Sequence, residues 1–538
     1  MSRRALFVVA VIALALGASA SARRDAGAPP AQSATFFVSG RGWGHGVGLS
    51  QWGAYGFAQR GSGYEAILAH YYRGTQLGRA PVARIRVLLG EGRKSVTVKS
   101  SAPFRLRDGS GQLHQLAAGA YTFGPGLRVK VDPAAEPRPL ASPLLFTPGA
   151  APLEYGKPYR GQLQVNAGSN SLQVVNHVGL EPYLYGVVPR EVPSAWPVEA
   201  LKAQAVVARS YALAVRKTGS YDVYADTRSQ VYGGLQAEKP TTNAAVDATA
   251  GQVLLYEGKV ATTFFFSTSG GRTANVADVW AGGEPTPYLV SVPDPYDSAS
   301  PHHAWGPVLL TQAKLAKTFR IPGQIADVRA DVNPSQRVDS LTFVTQRGDE
   351  LSFKGADVRT RLGLRSTWFR VGLIALDKPK AIEYGKAARL TGRVRGSASV
   401  TLQQRAGAIW EPASRPKPNA TGVIAVAVKP LVSTDYRLSV SPSIAGAAVR
   451  VSVAPRVRFQ AVTEQTTLRG VVRPVLPGAR VDIQRLAGNV WRTVSTTSVD
   501  ASGAFAASLS LTPGSYRARV AASRGFVAGV SPVLKVVQ

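Results

Sequence analysis

The last third of the chain repeats itself, and that repeat limits the architecture more than any other feature. Leu390-Thr391-Gly392-Arg393-Val394 matches Leu468-Arg469-Gly470-Val471-Val472. Gln404-Arg405 followed by Trp410 matches Gln484-Arg485 followed by Trp491, and Tyr436-Arg437 matches Tyr516-Arg517. The offset stays near eighty residues, the size of a small β-domain. The stretch is rich in Val, Thr, Ser and Gly and has hardly any helical periodicity. It predicts two tandem all-β, sandwich-like domains over 375–455 and 456–538, joined near Pro455.

Upstream, short alternating runs such as Ile85-Arg86-Val87-Leu88-Leu89 and Val96-Thr97-Val98, broken by Gly and Pro, predict β-structure from Ile85 to Val175. The Pro- and Ala-rich piece from Asp132 to Pro152 reads as a loop or insertion. A helix is predicted over Val198 to Arg216, with Pro197 suited to its first turn and Leu201, Ala205, Ala208 and Ala212 at helical spacing. Further strands run to about Val371. The expected class is α+β: a mixed, β-rich domain over 35–374 with one prominent helix, followed by the two β-domains.

Arg3 and Arg4, the apolar run Ala5 to Leu16 and the small residues after it read as an export signal over 1–22, too short to span a bilayer. A small, polar, proline-bearing leader follows over 23–34. An exported, extracytoplasmic protein is therefore expected. The chain has no cysteine, so disulfides, thiolate chemistry and Cys-based zinc sites are excluded. Its formal charge of +31 favours anionic partners. The cations are scattered without a compact run or a nucleic-acid motif, which argues against nucleic acid and for anionic wall polymers or phospholipid head groups.

The densest functional signal spans residues 179 to 214. Glu191 lies just before the predicted helix, between Arg190 and Val192-Pro193, on a stretch that prolines are expected to hold extended. Lys202 and Arg209 are seven apart and share a helix face. A carboxyl near two cations could bind an anionic or acetamido-bearing sugar while keeping an acid in reach. The cations would lower its pKa and burial would raise it. The same residues also fit a loop carboxylate beside a solvated helix face.

This segment, with its E-x-P … P-x-E-A-L-K-A-Q-A-V-x-A-R-x-Y pattern, resembles the core motif of the stage II sporulation protein D / amidase enhancer LytB (SpoIID/LytB) family. The likeness continues through Tyr221-Asp222-Val223, Asp226-Thr227, Ser229 to Gly234, Phe266 to Thr273, Trp280 and Leu362 to Phe369, and covers residues 35 to about 372. It implies that Glu191 is the catalytic acid and that Lys202 and Arg209 line a groove, with Gln230, Tyr232 and Ser269 among the substrate contacts. Glu199 reads as a first-turn residue favoured by the helix dipole and Glu181 as structural.

Residues 40 to 77 (GRGWGHGVGLSQWGAYGFAQRGSGYEAILAHYYRGTQL) also resemble the family, whose members commonly carry this segment after the rest of the domain. Here it comes first. The resemblance adds His45, Ser50, Gln51 and Trp52 to the substrate-binding set. The glycines would let backbone approach a ligand closely, and Trp43 and Trp52 could stack on sugar faces. The alternative is a structural loop followed by a core-packed helix from Tyr64 to Tyr72.

His45, His70, His302 and His303 lack a ligand spacing, so no metal or cofactor is expected. Ser267 and Ser269 lack a nucleophile elbow. The resemblance implies a lytic transglycosylase: one acid cleaves peptidoglycan strands between N-acetylmuramic acid and N-acetylglucosamine. The alternatives are a non-catalytic glycan-binding enhancer of a cell-wall amidase and a wall-attachment protein.

Overall fold

A computed structural model describes residues 34–132, 134, 136–280, 283–461, 467–523 and 525–537. The export-signal reading over 1–22, and all of the leader except Ala34, fall outside the described residues. The protein is a mixed α and β structure, rich in β, with many small sheets and eight α-helices among the described residues rather than one prominent helix. None of these helices is long and apolar enough to cross a membrane.

The predicted β-region forms a seven-stranded sheet in which Arg84–Arg93, Leu172–Gly179 and Gln162–Ala167 are neighbours. Alternate side chains of Gln162–Ala167 enter one core, as expected of a sheet with one dry face. The Pro/Ala-rich insertion is not wholly a loop. Its Leu144–Thr147 is a strand inside this sheet, pairing Gln162–Ala167 on one side and Phe104–Arg107 on the other. Four residues are too short to read against flanking prolines, yet Leu144 and Phe146 are fully buried.

The chain leaves the sheet at Gly179 and turns directly into helix α3 (Leu180–Glu191), with α1 (Gln51–Ala58) and α2 (Tyr64–Tyr71) lying earlier in the chain. Glu191 is thus the last residue of a helix, not part of an extended stretch. Pro182 sits in the first turn, where its missing N–H costs nothing, and Pro189 falls in the last turn. Proline content alone therefore misleads here. Helix α4 (Val198–Ala214) follows with Pro197 as its N-cap, and twelve of its seventeen residues are buried. Only a helix covered on nearly all sides shows so little exposed surface.

The N-terminal segment supplies part of that cover. Val47, Leu49, Ile67, Leu68, Tyr71 and Tyr72 share a core with Ala203, Val206 and Val207 of α4. Leu49–Ser50 pairs in parallel with Phe265–Phe266. The segment that leads the chain thereby packs beside α3 and α4.

Its alternating glycines have a steric reason. A Cβ on Gly44 would stand 2.7 Å from that of Phe266, and one on Gly48 would stand 2.1 Å from the Phe264 carbonyl oxygen. Both have positive φ, +119° and +77°. Gly48→Ala combines left-handed strain with a backbone collision, so it is expected to cost at least about 2 kcal/mol. A urea melt with an unchanged midpoint would contradict this packing.

Beyond the last helix, Gly355–Leu362, the described residues are all strands and loops. One five-stranded sheet runs Ala304–Thr311, Thr35–Arg41, Phe369–Leu376, Ala388–Arg395, Val423–Val428, so pairing continues across residue 374 into the first repeat. The repeat itself is visible in the sheets. Arg437 Nε donates to Gln403 Oε1 (2.8 Å) with its guanidinium 4.3 Å from the Trp410 ring centre. Arg517 donates to Gln484 (2.8 Å) and stands 4.2 Å from Trp491. The structural equivalent of Gln484 is therefore Gln403, one residue before the Gln404 that the sequence match selects. A slip of one inverts strand faces, and only cross-strand register reveals it.

Candidate functional site

Glu191 lines a cavity of about 320 Å³ together with His45, Tyr211, Gln230, Phe264 and Trp280, among others. Six separate segments meet there: the end of α3, the fourth turn of α4, the glycine-rich N-terminal stretch, residues 227–231, Phe264 with Phe265, and Trp280. Gln51, at the start of α1, donates from Nε2 to the Glu191 backbone carbonyl (3.2 Å) and so ties the N-terminal segment to the end of α3.

The Glu191 carboxyl is raised above the ordinary carboxylate range, chiefly by burial. A 3.4 Å contact from the Val231 N–H and the Arg190 charge oppose that shift. No ion pair to Glu191 occurs among the described residues. The group is half-buried, opens on a cavity and is biased toward its protonated form, as a proton donor needs.

The cavity wall offers one unmet donor. Gln230 is buried, its Oε1 accepts from Tyr183 (3.2 Å), and its Nε2 has no partner among the described residues. Buried amides rarely go unpaired, so this N–H₂ is suited to a ligand oxygen. Trp280 is 37% exposed and stands 4.7 Å from Phe264 and 5.3 Å from His45, ring centre to ring centre, an indole partly open at the cavity.

His45 reaches the cavity but is chemically committed. The Val47 N–H donates to Nδ1 (3.1 Å), so Nε2 carries the proton and donates to the Phe265 carbonyl (3.0 Å). Burial, then Arg359 and Arg337, pull its pKa down to about 4 against the effect of the Phe265 bond. The ring is neutral near pH 7 and has no free nitrogen for proton transfer or metal binding. An NMR titration is expected to show its ring protons shifting with a midpoint near 4. A midpoint near 6.5 would mean a free, exchangeable ring.

Several residues expected in the groove lie elsewhere. Arg209 has no exposed side-chain surface; it forms an ion pair with Glu181 and donates to the carbonyls of Gln252 and Val246. Lys202 pairs with Glu199 (2.7 Å), and Glu199 also accepts from the Tyr64 N–H (2.8 Å), so this pair holds the start of α2. The seven-residue spacing put both cations near one face, but Arg209 is sealed inside and the partly exposed Lys202 is taken by Glu199. The structural reading of Glu181 stands, and Glu199 does lie in the first turn of α4.

Tyr232 is buried, with its hydroxyl on Asn176 (3.0 Å). Ser50 caps α1 through the Gly53 N–H (3.1 Å) and also accepts from the Ser269 N–H (3.2 Å). Ser269 is buried and donates to Asp297 (2.8 Å). Trp52 packs with Tyr55 and Trp196 outside the Glu191 cavity. Of the predicted contacts, the structure brings His45 and Gln230 to the cavity and Gln51 to the backbone of Glu191. Tyr211, Thr227, Ser229, Phe264 and Trp280 line it without having been singled out. Tyr211, Thr227, Ser229 and Trp280 lay inside the matched motifs, which was the available signal.

This is a half-buried carboxyl in a small aromatic cleft of a β-rich α+β protein, the only acid lining that cleft among the described residues. Residues 168–256 match the family model described as Stage II sporulation protein (SpoIID). It is 43% identical over 114 residues to the "Amidase enhancer" of Bacillus subtilis (strain 168), covering 21% of this chain and 15% of that protein. It is 32% identical over 223 residues to "Stage II sporulation protein D" of Bacillus amyloliquefaciens, covering 36% of this chain and 60% of the relative. An uncharacterized protein of Brachyspira hyodysenteriae is 38% identical over 141 residues, 26% of this chain and 38% of that one. In each case the chain spans less than two thirds of the relative's length.

Proposed function

We propose that the protein is an exported lytic transglycosylase that cuts peptidoglycan strands between N-acetylmuramic acid and N-acetylglucosamine, with Glu191 as its single catalytic group. The observation that carries this reading is Glu191 itself: a carboxyl at a cavity, held toward its protonated form by burial and without a paired cation.

A conventional glycosidase needs a second carboxylate, and Glu191 is the only acid lining this cavity among the described residues. The proposed reaction needs one. The Glu191 proton passes to the glycosidic oxygen as the C1–O bond breaks. The muramic acid's own C6 oxygen then bonds to C1, and its hydroxyl proton returns to the Glu191 carboxylate. The product is a 1,6-anhydro end, with no water consumed. Gln230 Nε2 is assigned to a substrate oxygen and Trp280 to a sugar face. The two β-repeats are read as separate domains over 375–455 and 456–538. They carry 23 Lys and Arg against 7 Asp and Glu, a net +16 that suits attachment to anionic wall polymers.

Purified glycan strands incubated with the protein should yield 1,6-anhydro ends by mass spectrometry. Hydrolysed reducing ends, or no new ends at all, would overturn the assignment. A second reading has the same cavity bind glycan without cutting it, in support of a separate amidase. The likeness to a relative named for amidase enhancement favours it, and glycan binding without new ends would select it.

A further inference from the structure

The stretch that brings His45 to Glu191 also helps to build a second and larger cavity. It has a volume of about 560 Å³ and lies at one end of the five-stranded sheet, lined by Arg41, Trp305, Gln336, Trp368 and Arg370 among others. That is the volume range of small-ligand sites. No acid lines it among the described residues.

The indoles are fixed in place. Trp305 Nε1 donates to the Gly42 carbonyl (2.9 Å), and the ring fills the space where a Cβ on Gly40 would come within 2.2 Å of it. Trp368 has the Arg41 guanidinium 5.8 Å and the Arg337 guanidinium 5.3 Å from its ring centre. Arg337 is fully buried, and its Nε has no hydrogen-bond partner among the described residues. Burial and Arg359 draw its pKa down to about 10, so it remains charged at neutral pH. None of Arg41, Arg337, Arg365 or Arg370 forms an ion pair among the described residues, although the chain has many other Arg–carboxylate pairs. Arg365 lies 5.3 Å from Trp43, which is 44% exposed.

From Arg41 to His45 is four residues, a reach of at most about 14 Å. Trp43 lies between them. A chain of exposed or cavity-lining aromatic and cationic groups therefore leads from the Glu191 cavity to this one.

We propose that this cavity is a second saccharide subsite, which takes an acidic sugar of the same strand at a distance from the bond that Glu191 acts on. The inference rests on the glycan reading above. An indole offers a face to the apolar side of a sugar, and a guanidinium with free N–H groups donates to both oxygens of a carboxylate. The unpaired positive charge behind Trp368 selects for an anion over a neutral sugar. The enzyme then prefers long acidic strands to short or neutral ones.

Calorimetry with the full chain tests this, using a disaccharide and an octasaccharide of alternating N-acetylglucosamine and N-acetylmuramic acid, and a neutral N-acetylglucosamine octasaccharide. The acidic octasaccharide should bind the wild type at least about 10-fold more tightly than the other two, the worth of one charge-assisted contact. Arg370→Gln should remove about 10-fold of that affinity, and Arg370→Glu more, with the melting midpoint unchanged. Arg370 is exposed, so neither substitution should disturb folding. Equal binding of the acidic octasaccharide by wild type and both variants overturns the subsite. If strands are still cut in that case, the transglycosylase reading survives alone. Length-dependent acidic binding without cleavage leaves the subsite standing and removes the catalytic reading. Failure to bind any of the three sugars overturns both.

Discussion

Glu191→Gln is expected to slow the release of 1,6-anhydro ends by about 10²–10⁴-fold, the usual worth of a positioned general acid. Glutamine keeps an oxygen for the Val231 N–H and the same shape, so the cavity should persist and glycan binding should stay within a few-fold. The pH profile gives a second readout. Burial raises the carboxyl's pKa above the free value of about 4.3. Cleavage that needs the protonated acid is full below the folded-state pKa and falls as pH rises through it. The same shift has a sign for stability: the native state holds the proton more tightly than the unfolded state, so that contribution is present at low pH and is lost as pH climbs from the unfolded to the folded value. The glutamine variant lacks this loss. Above that window it should be at least as stable as the wild type, by urea titration at two pH values. A variant that is inactive because it is unfolded would remove the argument.

Arg209→Met is expected to cost about 3–5 kcal/mol of stability, the range for breaking a buried ion pair from one side. The substitution leaves the Glu181 carboxylate, which also accepts from the Gly251 N–H (3.0 Å), without its partner, and frees the Gln252 and Val246 carbonyls. Lys202→Met should cost less than about 1 kcal/mol, because its pair with Glu199 is a partly exposed i, i+3 bridge. Urea midpoints of the two variants measure the contrast. If Arg209→Met kept the wild-type midpoint and lost only glycan affinity, the guanidinium would belong to the groove after all.

These two cations show where reading the chain alone stops. Spacing of seven correctly puts Lys202 and Arg209 near one face of a helix. It cannot say which way that face turns, because α4 is covered by α2 on one side and by the strand Gln252–Tyr256 and the helix Pro240–Ala248 on others. The acids that claim them, Glu199 and Glu181, are three and twenty-eight residues away, and the second distance carries no local signal. Ser50 and Ser269 went the same way. Both are small polar residues in glycine-rich stretches, which suggests a ligand loop, yet each satisfies backbone or side-chain partners within the fold.

Trp280 and Tyr211 were legible only as members of a motif. Their place beside Glu191 follows from packing: Phe264 touches both rings, at 4.7 and 5.8 Å between centres. His45 was found from the sequence, but its role was not. Its neutral, doubly bonded ring follows from the Phe265 carbonyl, 220 residues along the chain.

By itself, the sequence determined the β-rich character, the repeat of about eighty residues and the helix after Pro197. Each of these is written in local periodicity, turn residues or a contiguous motif, and local patterns survive without knowledge of partners. Tertiary structure alone decided that Glu191 ends a helix, that the leading glycine-rich segment closes its cavity, and that Arg209 is sealed inside. Those outcomes depend on which distant surfaces meet, and burial and charge compensation are properties of the meeting, not of either stretch of chain.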